Sequence, residues 1–317
     1  MATMKTLKMA LGGAIAAFLI SFSAPASAAD IPDTLRIGLL PTEDNVEMVK
    51  QFQGVADHLG KELNLPTKIW VSQSFNALIE AMGADKLDLS YVGGGQYVAA
   101  LKQKIDVVPV VITKTPAYLG DTVGRTYYKS AIITRTETGI KSLQDIKGKT
   151  FAFVAPTSTS GGIAPRFVFL NNAINPEKDL KKIFYAGTHE AVFLAVMNKK
   201  VDAGAMADHY FHRYKKRGML KFKEYDEPNN VLRDSILHIV SAQKVPGTPI
   251  IARGKLGPEF IKKLRAAFLS LPPQALSSMK FWGKTLGFTP ASHEDYKDVV
   301  AMKKLAAEMK KKQKKSK

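Results

Sequence analysis

The stretch ILHIVSAQKVPGTPIIAR, residues 236–253, decides how many lobes the chain forms. Two apolar, strand-like runs are separated here by Pro246 and Gly247, a pair that interrupts regular structure. They follow a long α/β series and precede several helical segments. We interpret the two runs as a return crossing from a second α/β unit to a first. The chain is therefore predicted to form two lobes joined by more than one strand.

Strand-like and helix-like segments alternate on both sides of this crossing. In the N-terminal part, TLRIGLL, TKIWVS, LDLSYVG and DVVPVVITK alternate with amphipathic segments, the first of them predicted to be capped by Thr42. This alternation predicts an α/β fold with mainly parallel sheets flanked by helices. Lobe one is assigned to residues 29–125 plus 254–317 and lobe two to residues 126–253. The C-terminal helices are expected to pack back on lobe one.

The first 28 residues are predicted to be a cleaved secretory signal peptide. Lys5 and Lys8 precede the apolar run Met9–Ser23, and Ala26 and Ala28 frame a small-residue cleavage site. The run is short for a bilayer span, and the site follows it directly, which favours a signal over a membrane anchor. The remaining residues, about 290, suit two domains.

Cysteine content and charge exclude several classes of function. The chain has no cysteine, which rules out thiol catalysis, thiolate metal sites and a lipid-modified N-terminal cysteine. The net charge is +18, and the tail from Ala301 carries eight lysines and one glutamate. This tail could contact anionic lipid or nucleic acid. Because it has no interleaved aromatic residues, a solvated helix end is favoured and no nucleic-acid partner is expected.

A loop rich in hydroxyl groups follows the strand-like run TFAFVA. Thr157–Ser160 supply four hydroxyls in succession, and Gly161 and Gly162 open the next helix. A helix start carries free N–H groups and partial positive charge, so it binds anions without a full cation. Glycine lets the backbone approach the anion closely. Oxyanion binding is favoured, and ordinary helix capping, which needs one of these hydroxyls, remains the alternative.

Two later loops carry polar residues at the same predicted edge of the sheet. His189 lies at a strand-to-helix turn and can donate to an anion, although a lone histidine there is more often a surface or capping residue. Asp208 ends the following strand, where a carboxylate is commonly a helix N-cap. A carboxylate facing an oxyanion favours a ligand with a P–O–H group or an ammonium. Ser158, His189 and Asp208 match a catalytic triad by residue type, but the G-x-S-x-G elbow is absent. KGKT lacks the first glycine of a P-loop, and the six histidines show no metal-ligand spacing.

These motifs together resemble a known family. LRIGLLPTEDN, LDLSYVG, PTSTSG, GTHEAVFLAVMNKKVDAGAMAD and VPGTPIIAR are similar to the periplasmic substrate-binding components of phosphate, phosphite and phosphonate ABC transporters. The resemblance covers nearly the whole chain after the signal. It implies a two-lobed type II periplasmic-binding-protein fold that closes over a small phosphorus oxyanion.

The resemblance also implies a set of ligand contacts. Lobe two would bind through the hydroxyl loop, and lobe one would add contacts on closure. Phe75 stands where many relatives have tyrosine, Val92 where some have a second tyrosine, and Gly94 at a proline position, so lobe one is altered. The resemblance implies contacts from Ser158, Thr159, Ser160, His189, Asp208, Tyr91 and Tyr128, and closure is expected to add Thr42, Phe75 and Gln96 from lobe one.

The predicted function is that of a non-enzymatic periplasmic solute receptor. It would capture a phosphonate, phosphite or phosphate and deliver it to an ABC permease in the inner membrane, as a monomer without cofactor or metal and without a lipid anchor. A ligand-sensing subunit for a membrane sensor kinase is the alternative, and a Ser/His/Asp hydrolase is a third.

Overall fold

The computed structural model describes residues 29–42, 44–116, 122–279 and 285–315. The predicted signal peptide, residues 1–28, lies outside the described residues. Within the described ranges, no helix is both long enough and apolar enough to span a bilayer.

Strands and helices alternate along most of the described chain. The strands are β1 Leu35–Leu39, β2 Thr67–Val71, β3 Leu89–Tyr91, β4 Val107–Lys114, β5 Tyr127–Arg135, β6 Thr150–Phe153, β7 Lys182–Tyr185, β8 Ala203–Ala207, β9 Glu224–Asp226, β10 Val231–Arg233, β11 Leu237–Pro246, β12 Pro249–Arg253 and β13 Gly287–Pro290. The α-helices are α1 Asn45–Leu63, α2 Phe75–Gly83, α3 Gly94–Lys102, α4 Ala164–Asn171, α5 Pro176–Asp179, α6 His189–Met197, α7 Tyr210–Lys216, α8 Pro258–Leu269, α9 Pro273–Ser278 and α10 Lys297–Lys315.

Two large sheets, beside a two-stranded β9–β10 pair, confirm the predicted two-lobed α/β fold. The first has the strand order β13-β4-β12-β3-β1-β2, and the second has the order β11-β5-β8-β6-β7. In each sheet the strands joined by helical crossovers pair in parallel: β1 with β2 and β3, and β6 with β7 and β8. The crossing strands and their neighbours pair antiparallel. Two of the five strand pairings in the first sheet and two of the four in the second are parallel, so each sheet is mixed and not mainly parallel as predicted, because the chain enters and leaves each lobe more than once.

The return crossing lies at residues 246–248. β12 pairs with β3 and β4, so it belongs to the first sheet, whereas the sequence prediction assigned residues 249–253 to lobe two. The two crossings between the lobes are hydrogen-bonded to each other: Gly247 N donates to the Thr126 carbonyl at 2.6 Å, and Thr113 N donates to the Thr248 carbonyl at 3.1 Å. Side-by-side crossings of this kind form a hinge.

The C-terminal helices divide between the lobes. As expected, α8 and α9 pack on α1 in the first lobe. In contrast, α10 contacts α3 in the first lobe and α4 in the second, with Val299 and Met302 buried. The expectation that all the C-terminal helices pack on lobe one is therefore wrong for α10, which bridges the two lobes.

Asp44 caps α1. Its carboxylate accepts hydrogen bonds from the amides of Val46 and Glu47 at 3.0 and 3.1 Å. The prediction that Thr42 caps this helix is wrong, because a carboxylate two residues later satisfies two amides and suits the positive helix end. Thr42 consequently stays in the loop between β1 and α1, where it is buried.

Candidate functional site

The hydroxyl loop folds into a single π-helical turn, Thr159–Ile163, between β6 and α4. Ser158 caps this turn: its hydroxyl accepts a hydrogen bond from Gly161 N at 3.1 Å. A Cβ on Gly162 would lie 2.0 Å from the Ala155 carbonyl oxygen. Glycine is therefore required for the turn to close against the end of the strand.

Two backbone amides of this turn point to a function beyond capping. Within the described ranges, the N–H groups of Thr159 and Ser160 have no hydrogen-bond acceptor. Both residues are almost completely buried. Buried amides without an acceptor are rare and costly, so a turn that presents two of them is suited to an anion.

Eight of the ten predicted contacts line one pocket between the lobes. Leu40 and Gly93 also line it, and no sequence motif marked either of them as a contact. The lining residues are Leu40, Thr42, Phe75, Gly93, Gln96, Tyr128, Ser158, Thr159, Ser160 and His189.

His189 is held as a neutral hydrogen-bond donor. Its Nδ1 accepts a hydrogen bond from Ala207 N at 3.3 Å, so the ring proton is placed on Nε2. Burial lowers the pKa of His189 to about 3. The ring stacks on Tyr210, with centroids 5.0 Å apart. His189 therefore offers one N–H to the pocket and no positive charge.

Thr159 also has its acceptor side occupied. Its Oγ1 accepts a hydrogen bond from Gly95 N, on the other lobe, at 2.8 Å. Its own O–H can still donate, and the Tyr128 phenol oxygen is one acceptor within its reach. Tyr128 lies beside the hydroxyls of Ser160 and Thr159, and burial raises the pKa of Tyr128. The phenol is therefore a neutral donor at any ordinary pH.

Contacts across the cleft hold the two lobes together on the solvent side of the pocket. Gln96 Nε2 donates to the Thr157 carbonyl at 3.0 Å, and Thr157 Oγ1 donates to Asn76 Oδ1 at 3.3 Å. A Cβ on Gly95 would lie 2.2 Å from the Thr157 carbonyl oxygen. The run Gly93–Gly95 therefore permits the close approach of the lobes. From the sequence, it was interpreted only as an altered turn.

Asp208 is not among the residues that line the pocket. Its carboxylate accepts hydrogen bonds from Arg125 Nη2 at 2.9 Å and from Lys129 N at 3.0 Å, and the side chain is fully buried. Burial raises the pKa of Asp208, while the charge of Arg125 opposes that rise. Arg125 also binds Glu227 at 2.9 Å, so Asp208 belongs to a buried ion network next to the hinge.

Tyr91 also lies outside the pocket lining. It is fully buried and packs against Phe52, with ring centroids 6.4 Å apart. Its hydroxyl lies beside those of Thr248 and Thr113 at the hinge. A second, small pocket adjoins this region and is lined by Thr113, Thr115, Tyr128, His209, Gly247 and Thr248.

The geometry does not form a catalytic triad. His189 Nδ1 receives the Ala207 amide, while the two Asp208 oxygens bind Arg125 and Lys129. The carboxylate–imidazole hydrogen bond that orients a triad histidine is thus replaced on both sides. Across the described residues, no group of three or more acidic or histidine side chains is arranged to hold a metal ion.

Comparisons with known proteins point to one family. Residues 37–296 match the family model described as the periplasmic substrate-binding protein of phosphonate ABC transporters. The phosphate-import protein PhnD of Mycolicibacterium smegmatis is 24% identical over 76% of this chain and 73% of its own length. The phosphonates-binding periplasmic protein of Escherichia coli is 26% identical over 80% of this chain and 70% of its own length.

A solved structure shows the same fold. PhnD1 of Prochlorococcus marinus, in complex with methylphosphonate, superposes with a TM-score of 0.69 at 21% identity. The match covers 86% of this chain and 97% of that protein.

Proposed function

The chain belongs to the periplasmic substrate-binding proteins of phosphonate ABC transporters, and on that premise we propose that it captures a small phosphorus oxyanion between its lobes. The observation that carries this proposal is the uniform set of neutral donors at the pocket. The Ala207 amide leaves the His189 proton on Nε2, and the Thr159 and Ser158 hydroxyls, which each accept one backbone N–H, keep an O–H that can donate to the ligand.

Neutral donors suit a receptor better than fixed cations do. An anion buried among aligned N–H and O–H groups is strongly stabilised, yet it can leave again because no full opposite charge holds it. Since the donors cannot be rearranged without breaking the backbone contacts that orient them, a ligand of the wrong shape leaves some of them unpaired. A phosphonate or phosphite fits this description, and so do the ligands named for two relatives, phosphate and methylphosphonate.

The receptor is proposed to act by hinge closure and without catalysis. Ligand would first meet the hydroxyl loop of lobe two, and the contacts of Gly95 and Gln96 with that loop would then favour the closed form. The closed monomer would be the form recognised by the membrane permease. Export to the periplasm follows from the predicted signal peptide and from the family.

Thermal unfolding with a panel of anions tests the proposal. The panel is phosphate, phosphite, hypophosphite, methylphosphonate, aminoethylphosphonate, arsenate and sulfate. A bound ligand at 100 times its Kd should stabilise the protein by roughly 2.7 kcal/mol. The absence of any shift with all the phosphorus compounds would refute the proposed ligand class.

A pair of serine variants ties binding to the loop. Ser158→Ala removes a donor and a cap, so it should weaken binding at least about tenfold and cost about 1 kcal/mol of stability. Ser142→Ala is the matched control, because Ser142 Oγ bonds Asp145 at 2.9 Å, outside the pocket lining. The control should lose stability alone. Equal affinity in both variants would argue against ligand capture by the loop.

A further inference from the structure

Gln96 carries the acceptor in the pocket that the proposed function does not use. The side chain is fully buried, and within the described ranges its Oε1 has no hydrogen-bond partner. Its orientation is fixed, because Nε2 donates to the carbonyl oxygen of Thr157 at 3.0 Å, a contact that Oε1 could not make. The amide therefore turns its oxygen away from Thr157.

The free oxygen lies close to the donors of the hydroxyl loop. A Cβ on Gly93 would be 2.6 Å from Gln96 Oε1 and 3.2 Å from Thr159 Oγ1. The two oxygens are thus at most about 5.8 Å apart, the sum of those distances. One tetrahedral anion making hydrogen bonds of about 2.7 Å can contact both. Gly93, which has no side chain, leaves the space open.

We propose that Gln96 Oε1 accepts a hydrogen bond from a P–O–H group, so that the receptor selects the singly protonated, monoanionic form of its ligand. The inference rests on the proposed function. An oxygen lone pair facing a fully ionised phosphoryl group would repel it and would remain unsatisfied, whereas a P–O–H group satisfies it. An ammonium on a ligand substituent offers the same donor chemistry, but the Thr159 contact places the phosphoryl group itself beside Oε1.

Other groups near the pocket do not provide this discrimination. Of the titratable side chains in the lining, His189 is a neutral donor and Tyr128 a protonated phenol. Around α3, Tyr97 contacts His293, and Tyr296 donates to the Gly247 carbonyl at 3.1 Å. The Asp208 carboxylate is bound to Arg125, behind the pocket lining.

Calorimetric titrations of the purified protein with phosphite and methylphosphonate, over a range of pH, test the inference. The affinity should stay constant up to the second ionisation of each ligand and then fall about tenfold per pH unit. Because the two ligands ionise at different pH, the midpoints should differ accordingly. A common midpoint would indicate that a group of the protein titrates and would overturn the inference, as would an unchanged affinity above the ionisation.

Two variants separate the acceptor from a general loss of contacts. Gln96→Met keeps the length but removes the acceptor, so it should weaken monoanion binding about tenfold and flatten the pH dependence. Asn76→Ala removes another contact of the Thr157 loop, at 3.3 Å, and should keep the pH dependence. Thermal unfolding without ligand checks that both variants fold. Retention of the full pH dependence in Gln96→Met would overturn the inference.

Further ligands distinguish the possible failures. Sulfate, which has the right shape but no proton, should bind the wild type at least about tenfold more weakly than the best phosphorus ligand. If Gln96→Met weakens the binding of aminoethylphosphonate but not of methylphosphonate, Oε1 accepts a hydrogen bond from the ammonium group and the inference is wrong. If the phosphorus ligands bind without regard to protonation, only this inference fails. If none binds at any pH, the proposed function fails as well.

Discussion

Gly95→Ala should block closure of the lobes while leaving the fold intact. The added Cβ would lie 2.2 Å from the carbonyl oxygen of Thr157, which belongs to the other lobe. Real Cβ contacts essentially never fall below 3.0 Å, so the facing surfaces must part by at least 0.8 Å, the difference between these distances. Within lobe one the substitution is harmless, because alanine is a better helix residue than glycine.

The magnitude follows from the contacts across the cleft. Parting by 0.8 Å lengthens the Gly95–Thr159 and Gln96–Thr157 hydrogen bonds from 2.8 and 3.0 Å to about 3.6 and 3.8 Å, beyond useful range. Each is worth about 1 kcal/mol, so closure loses about 2 kcal/mol. Calorimetry should therefore show about a 30-fold rise in Kd.

A second helix glycine provides the control for this experiment. A Cβ on Gly54, within α1, meets nothing closer than 3.5 Å. Gly54→Ala should therefore raise stability by about 0.5–1 kcal/mol without changing Kd. Thermal unfolding without ligand should show that Gly95→Ala is not destabilised. Wild-type affinity in Gly95→Ala would refute the reasoning, since the lobes could then close without the observed approach.

Three further predictions concern single residues. Burial lowers the pKa of His189 from 6.5 to about 3, so the stability it contributes is complete above pH 6.5 and is lost as the pH falls below that value, where the unfolded chain takes up the proton first. The free energy of unfolding of His189→Gln, measured as the pH is lowered from 6.5, should therefore decrease less steeply than that of the wild type, by up to about 1.4 kcal/mol per pH unit. An unchanged slope would contradict this. Asp208→Asn should lower the free energy of unfolding by about 3 kcal/mol, because Arg125 loses a buried partner, with less than about a threefold change in Kd; a large loss of affinity at full stability would instead make Asp208 a ligand contact. Gly162→Ala should destabilise the protein by about 2 kcal/mol or more in chemical denaturation, because its Cβ would lie 2.0 Å from the Ala155 carbonyl; normal stability would show that the turn can shift.

The family motifs alone locate most of the candidate site. The run Thr157–Ser160 after an apolar strand pointed to an anion site, since local order along the chain places hydroxyls and a helix start together. His189 was identified in the same way, at a strand-to-helix turn. Ser158, Thr159, Ser160 and His189 indeed share one pocket with residues of the other lobe. Their role as ligand contacts stays a prediction.

Partners that are distant in the sequence could not be assigned by pattern. Asp208 ends a strand as expected, but its carboxylate binds Arg125, 83 residues earlier, on a crossing segment. The local pattern of residues 249–253 predicts a strand. That this strand pairs with β3 and β4 is determined only by the folded sheet. Charge compensation and strand pairing depend on distances through space, which residue spacing does not encode.

The sequence by itself determined the alternation of strands and helices, the absence of thiol chemistry and the position of the hydroxyl loop, because propensity, composition and capping are local properties. Only the tertiary structure decided which atoms of the pocket are donors and which is an acceptor. The Ala207 amide fixes the tautomer of His189, the Gly95 amide occupies one lone pair of Thr159 Oγ1, and the Thr157 carbonyl orients the amide of Gln96. Each of these is set by a backbone group brought from elsewhere in the chain, and a hydrogen bond has a direction only once both of its partners are in place.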